Sequence, residues 1–170
     1  MRKEEISMEL ARIHAHLCGD GHVCIYKTKA KDRKFKANIG YSNNNQKLLT
    51  NFREDFSKIY HVKMKMRPNR DVSISSIRIY RDLTGKFGKF GSKEWRIHKS
   101  ILNSDNQIKL EWLNSFFEDE AYDEKRYNRL KIKSVNLEGL KDAKQLLTSL
   151  NIFSSLTGPN CDKTYYLTIP

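Results

Sequence analysis

Leu17-Cys18-Gly19-Asp20-Gly21 and Phe116-Phe117-Glu118-Asp119-Glu120-Ala121 are the two stretches whose reading decides the fold. Each closes a run with apolar residues at helical spacing. Residues 8–18 carry Leu10, Ala11, Ile13, Leu17 and Cys18, and a second helix is expected over 107–118. Gly19 and Gly21 are poor helix residues and stop the first. Each helix therefore runs into carboxylates, at the end where the helix dipole and free carbonyls are already negative. That placement calls for a cation. Mg²⁺ fits, because it prefers one or two carboxylates plus water and phosphate oxygens to a full protein cage, and phosphodiester hydrolysis uses such an ion.

Outward from these stretches, basic residues recur with period two. Lys27, Lys29 and Lys31 form one triple, Lys63, Lys65 and Arg67 a second, and Arg129, Lys131 and Lys133 a third. In the last two, the intervening residues are Val62, Met64 and Met66 and then Leu130 and Ile132, the pattern of strands with one apolar and one cationic face. Arg33, Lys34, Lys36, Arg70 and Arg126 extend the cationic set. Helices are expected over 45–59, 77–88 and 137–150, and strands near 22–30, 33–40, 61–67, 71–76, 127–135, 153–157 and 164–169. The second round repeats the first in shorter form. Residues 1–90 make a first half, 91–106 a linker around Trp95-Arg96, and 107–170 a second half.

At 170 residues, with 38% hydrophobic and 31% charged, the chain can bury a core. Its net charge of +12 suggests a polyanionic partner, nucleic acid or an anionic membrane surface. Period-two basic strands are unlike a membrane-binding amphipathic helix, so the membrane is the weaker candidate. No stretch approaches the ~18 apolar residues of a membrane span, and Met1-Arg2-Lys3-Glu4-Glu5 leads into no apolar signal core. Cys18, Cys24 and Cys161 are an odd, sparse set that suits a reducing compartment. The expected localisation is cytoplasmic. His14, His16, Cys18, His22 and Cys24 lack zinc spacing, since helix positions two apart point nearly opposite ways.

Ile13-His14-Ala15-His16-Leu17-Cys18-Gly19-Asp20-Gly21 resembles the LAGLIDADG motif of homing endonucleases, and Leu113-Asn114-Ser115-Phe116-Phe117-Glu118-Asp119-Glu120-Ala121 resembles its second copy. The resemblance implies an α+β fold of two pseudo-symmetric αββαββ(α) halves, forming a saddle of antiparallel sheets, the second half lacking a final helix. It implies a monomer whose motif helices pack together, with Ala15, Gly19 and Ser115 suited to that contact. The last acid of each motif, Asp20 and Glu120, is then catalytic and binds metal, Mg²⁺ or another divalent cation such as Mn²⁺, with Gly19 and Asp119 beside them. Asp119 stands where a small residue is usual and Ala121 replaces the closing Gly, so a register with Asp119 as the ligand stays open. The family often keeps a basic residue beside its metals, for which Lys125, Lys133 and Ser134 are placed. His22 could face the nucleic acid.

The function so implied is a site-specific double-strand DNA endonuclease of the free-standing, intron-encoded type. Its site would span two helical turns, roughly 20 bp. The alternative is a nucleic-acid-binding protein without cleavage on the same scaffold, such as an RNA intron maturase or a DNA-binding regulator.

Overall fold

The computed structural model describes residues 6–29, 34–68 and 70–170. The first run of elements is α1 (Met8–Cys18), β1 (Gly21–Lys27), β2 (Phe35–Ser42), α2 (Gln46–Tyr60), β3 (Lys65–Arg67), β4 (Asp71–Ile74) and α3 (Ile77–Phe87). A short α4 (Lys99–Leu102) precedes the second run: α5 (Asn106–Glu120), β5 (Ala121–Glu124), a 3₁₀ turn (Lys125–Tyr127), β6 (Arg129–Ser134), α6 (Leu137–Ser149), β7 (Ser155–Thr157) and β8 (Tyr165–Ile169). The protein is α+β. Its two four-stranded sheets are antiparallel, ordered β1-β2-β4-β3 and β5-β6-β8-β7, one topology used twice. Among the described residues, β8 is the last element.

Local chemistry sets the helix starts. Ser7, Asn45, Ser76, Asp105 and Asn136 each accept a backbone N–H of the first turn through a side-chain oxygen, satisfying a donor that would otherwise be orphaned. Ala37, Ile39 and Tyr41 of β2 and Val72 of β4 bury one face of the first sheet, and Ile132 and Leu167 do the same in the second. The helices cover those faces, and α1 and α5 pack against each other between the sheets.

Arg12 spans this seam. Its guanidinium grips Asp55 of α2 through two hydrogen bonds of 2.8 Å and Glu111 of α5 at 2.9 Å. His14 lies fully inside the seam, its Nδ1 accepting from the Trp112 indole at 2.8 Å, and burial pushes its pKa down to about 3. It is a neutral packing residue.

The connection between the halves is itself packed. Trp95 is buried over Gly139, where a Cβ would come within 2.4–2.6 Å of its ring. Arg96 makes two hydrogen bonds to Asp142, at 2.7 and 2.8 Å, and the Ile97 N–H donates to the same carboxylate at 3.0 Å.

Three local expectations change. The acidic stretch after Glu118 is not only a helix end: α5 runs to Glu120 and β5 begins at Ala121 without an intervening loop. The strand expected over 61–67 is confined to Lys65–Arg67, because His61 closes α2 in the left-handed conformation (φ 54°) and the chain must cross before pairing begins. Lys63 therefore precedes the strand. In β1, Lys27 pairs with Phe35 and has the parity of Val23 and Ile25, so it extends the helix-side face and not the opposite one.

Candidate active site and nucleic-acid interface

The close approach of α1 and α5 creates the site. Gly19 caps α1, its N–H bonding the Ala15 carbonyl at 3.0 Å, and a Cβ on it would stand 2.9 Å from the Cβ and Oδ2 of Asp119. Such a contact is too short for any side chain. Ala15 and Ser115 are buried in the same seam. The next residues in chain order, Asp20 and Glu120, are thereby brought together at the ends of the two helices.

Their electrostatics register that proximity. Burial, then Asp20, then Asp119 raise the Glu120 pKa to about 7, and burial and Asp119 raise that of Asp20. Among the described residues, no Lys, Arg or His forms an ion pair with either acid. The Asn43 Nδ2 donates to Asp20 Oδ2 at 3.1 Å and to Asp119 Oδ1 at 3.4 Å. The Asn43 Oδ1 is occupied by the Asn45 N–H at 2.8 Å, which fixes the way the amide faces.

Asp119 sits differently. Its side chain is 0% exposed; Oδ1 accepts from the Tyr41 hydroxyl at 2.6 Å and Oδ2 from His16 Nδ1 at 2.8 Å. Both its oxygens are thus committed to the first half. Gly19 contributes its lack of a side chain, which admits Asp119.

A donor set of two carboxylates that repel one another, beside free helix carbonyls, suits a hard divalent cation with water or phosphate completing its shell. Among the described residues no three His, Cys, Asp or Glu side chains converge into a closed protein cage. A cavity of about 230 Å³ adjoins Glu120 and is lined also by Gly19, Gly21, Trp95, Lys133 and Ser134. Lys133 and Ser134, expected from the sequence to attend the acids, share that cavity. Lys125 is instead at the exposed β5–β6 turn.

Strand register sorts the basic residues. On the face turned away from the helices, the first sheet presents His22, Cys24 and Tyr26 of β1, Lys36 and Asn38 of β2, Lys65 and Arg67 of β3, and Ser73 of β4. His22 lies across Gly40, where any Cβ would meet its ring at 2.4 Å, and its Nε2 bonds the Asn38 amide at 2.9 Å. The second sheet presents Tyr122 and Glu124, Arg129, Lys131 and Lys133, and Tyr166 and Thr168. Lys29 and Lys34 flank the β1–β2 strands, Arg70 occupies the β3–β4 turn, and Arg126 stacks 5.4 Å from the Tyr127 centroid. Lys31 and Arg33 lie outside the described residues.

Asn43 was not legible as a site residue, nor was the pairing of Tyr41 and His16 with Asp119. The only signal was the Ser42-Asn43-Asn44-Asn45 run ahead of α2, which reads as helix capping.

No family model and no curated protein sequence matches the chain. Solved structures do, and they define its class: it has the two-domain LAGLIDADG fold. I-DmoI in complex with DNA and Mn is 16% identical over 96% of this chain and 89% of that one, with a TM-score of 0.72. Mesophilic variants from the homing endonuclease I-DmoI reach a TM-score of 0.73 at 17% identity, over 98% and 85%. The N-terminal LAGLIDADG domain of DUF199/WhiA superposes with a TM-score of 0.55 at 12% identity, over 99% and 79%. I-DmoI is also known in complex with DNA and Ca. Among the described residues, no helix is long and apolar enough to cross a membrane.

Proposed function

We propose that this protein is a site-specific double-strand DNA endonuclease whose halves, 1–90 and 107–170 joined by 91–106, act together as a monomer. One observation carries the reading: Asp20 and Glu120, one acid from each helix end, are close enough that burial and then the Asp20 charge raise the Glu120 pKa, with no ion pair to either acid among the described residues. Both would hold the divalent ion, Mg²⁺ or Mn²⁺. When bound, that ion activates water and stabilises the leaving oxygen. Asn43 fixes the Asp20 carboxylate through its 3.1 Å hydrogen bond. Lys34, Lys36, Lys65, Arg67, Arg70, Arg126, Arg129, Lys131 and Lys133 hold about two turns of duplex, and Lys29 and Lys63 add phosphate contacts at the edges. Asp119, hydrogen-bonded by His16 and Tyr41, ties the halves together, and those bonds favour Glu120 over it as the second ligand.

The test uses a library of randomised duplexes in Mg²⁺ or Mn²⁺. Asp20→Asn and Glu120→Gln should each lower cleavage at least about 100-fold while duplex binding persists. Cleavage by both at the wild-type rate rejects the assignment. Asp119→Asn abolishing cleavage while Glu120→Gln spares it would move the ligand to Asp119.

Binding without cleavage, by a maturase or a regulator, is favoured by a different observation. A third carboxylate, Asp119, lies buried beside the pair and is tied to His16 and Tyr41, an arrangement that a helix junction serving binding alone would also carry. A wild-type protein that binds duplex or RNA and cuts no DNA in either metal establishes that reading.

A further inference from the structure

The cations on the two open sheet faces are not equivalent. On the second sheet all three are already matched with acids. Glu124 Oε2, across the β5–β6 pair on the same face, lies 2.5 Å from Arg129 Nε and 3.1 Å from Lys131 Nζ. Lys133 Nζ lies 2.6 Å from Asp162 Oδ2. Asp162 is itself held, accepting from the Thr164 hydroxyl and, at 3.2 Å, from the Thr164 N–H. Aromatic rings back the same cations: Tyr127 stands 4.6 Å from Arg129, and Tyr166 stands 5.0 Å from Lys131 and 5.9 Å from Lys133. On the first sheet Arg67 is paired, with Asp71 at 2.7 Å, while Lys36 and Lys65 form no ion pair among the described residues.

We infer that Glu124 and Asp162 are specificity-setting residues, intramolecular counter-ions that keep Arg129, Lys131 and Lys133 from binding DNA of arbitrary sequence. The inference rests on the nucleic-acid reading of these faces. A phosphate approaching Arg129 or Lys133 must displace a carboxylate and then lie beside its charge. In water that repulsion is worth about fivefold in affinity for one unit charge at contact distance. A fitting sequence gives the displaced acid a partner, since Glu and Asp accept from the cytosine amino group in the major groove. The first sheet, with its open lysines, supplies the affinity that is blind to sequence, and the second supplies the discrimination.

The experiment measures binding of an arbitrary duplex of about 30 bp by fluorescence anisotropy, without divalent ions, between about 50 and 200 mM KCl. Glu124→Gln and Asp162→Asn should each tighten binding about fivefold and steepen the slope of log K against log salt by about one. Glu138→Gln removes the same charge from α6, where it pairs with Lys141, and should change affinity less than about twofold. If Glu124→Gln and Asp162→Asn bind no tighter than Glu138→Gln, or more weakly than wild type, the inference is overturned while duplex binding stands. If the wild type fails to bind duplex at the lowest salt, the nucleic-acid reading itself fails.

Discussion

The two helix ends occupy the same place in the repeat and carry different side chains to it. At the end of α1, Gly19 supplies empty space and Asp20 is tethered by Asn43; at the end of α5, Asp119 fills that space and Glu120 has no such tether. The repeat therefore sets where the backbone goes, and single residues divide the work. Gly19 and Asp119 are complementary, one small because the other is large. The buried carboxylate that results joins the halves through His16 and Tyr41 while raising the cost of charge on both neighbours.

Breaking the asymmetry at Asp119 should have the largest effect on stability. Asp119→Ala leaves the Tyr41 hydroxyl and His16 Nδ1 without their acceptor, at about 1–3 kcal/mol for each buried donor. Relief of repulsion at Asp20 and Glu120 offsets part of this, for a net loss near ~3 kcal/mol, or roughly 6–12 °C in Tm for a chain of this size. Thermal melts of Asp119→Ala and Asp119→Asn check it; the Asn variant keeps an acceptor and should lose less than half as much. Equal melting of Asp119→Ala and wild type would mean that the pairing with Gly19 is incidental.

Glu120 sharpens the comparison through pH. Its folded pKa, raised by burial, Asp20 and Asp119, is about 7 against an ordinary 4.5. Between those values the folded state holds the proton more tightly than the unfolded state, so stability falls as pH rises through that window and stays low above it. Partial exposure trims the cost to about 2 kcal/mol. Without divalent ions, Glu120→Gln should therefore melt above wild type at pH 8 and level with it at pH 4. A flat difference across that range would refute the coupling.

The smallest effect tests the tether. Asn43→Ala should remove about 1 kcal/mol of support from the Asp20 carboxylate, raise its pKa further, and weaken Mn²⁺ binding about fivefold. Calorimetric titration of Mn²⁺ reads this, with Asp20→Asn as the reference for full loss. An Asn43→Ala protein that binds Mn²⁺ like wild type would leave the two acids equivalent.

Much of the architecture was legible because it rests on periodicity. Leu48, Leu49, Phe52 and Phe56 mark α2, and Leu140, Ala143, Leu146 and Leu147 mark α6, and each set is buried as helical spacing requires. Alternation likewise put Lys131 and Lys133 on the face opposite Ile132. It failed at Lys27, where a basic triple ran past the strand's apolar segment and parity alone decided the face. β5 was hidden because Tyr122-Asp123-Glu124 has no apolar alternation: its pairing is supplied by β6. The proposed pair Asp20 and Glu120 was read from helix ends, whereas Asn43, after β2, and Tyr41, within it, reach Asp119 across 76 and 78 residues of sequence. Nothing local encodes such pairs.

The packed connection has a consequence for taking the molecule apart and putting it together. Trp95, Arg96 and Ile97 are bound to Gly139 and Asp142 of α6, while the His98 ring lies 6.0 Å from that of Phe87 in α3, so this short segment clasps both halves. A chain divided just before Gly91 should yield two fragments that reassociate, since Phe90 stays packed on the first, residues 91–94 are exposed and Trp95–Ile97 stay with α6. A cut after Asn106 would strip that fragment of its lid. Chimeras built from halves of different proteins should accordingly inherit this segment from whichever parent donates the second half.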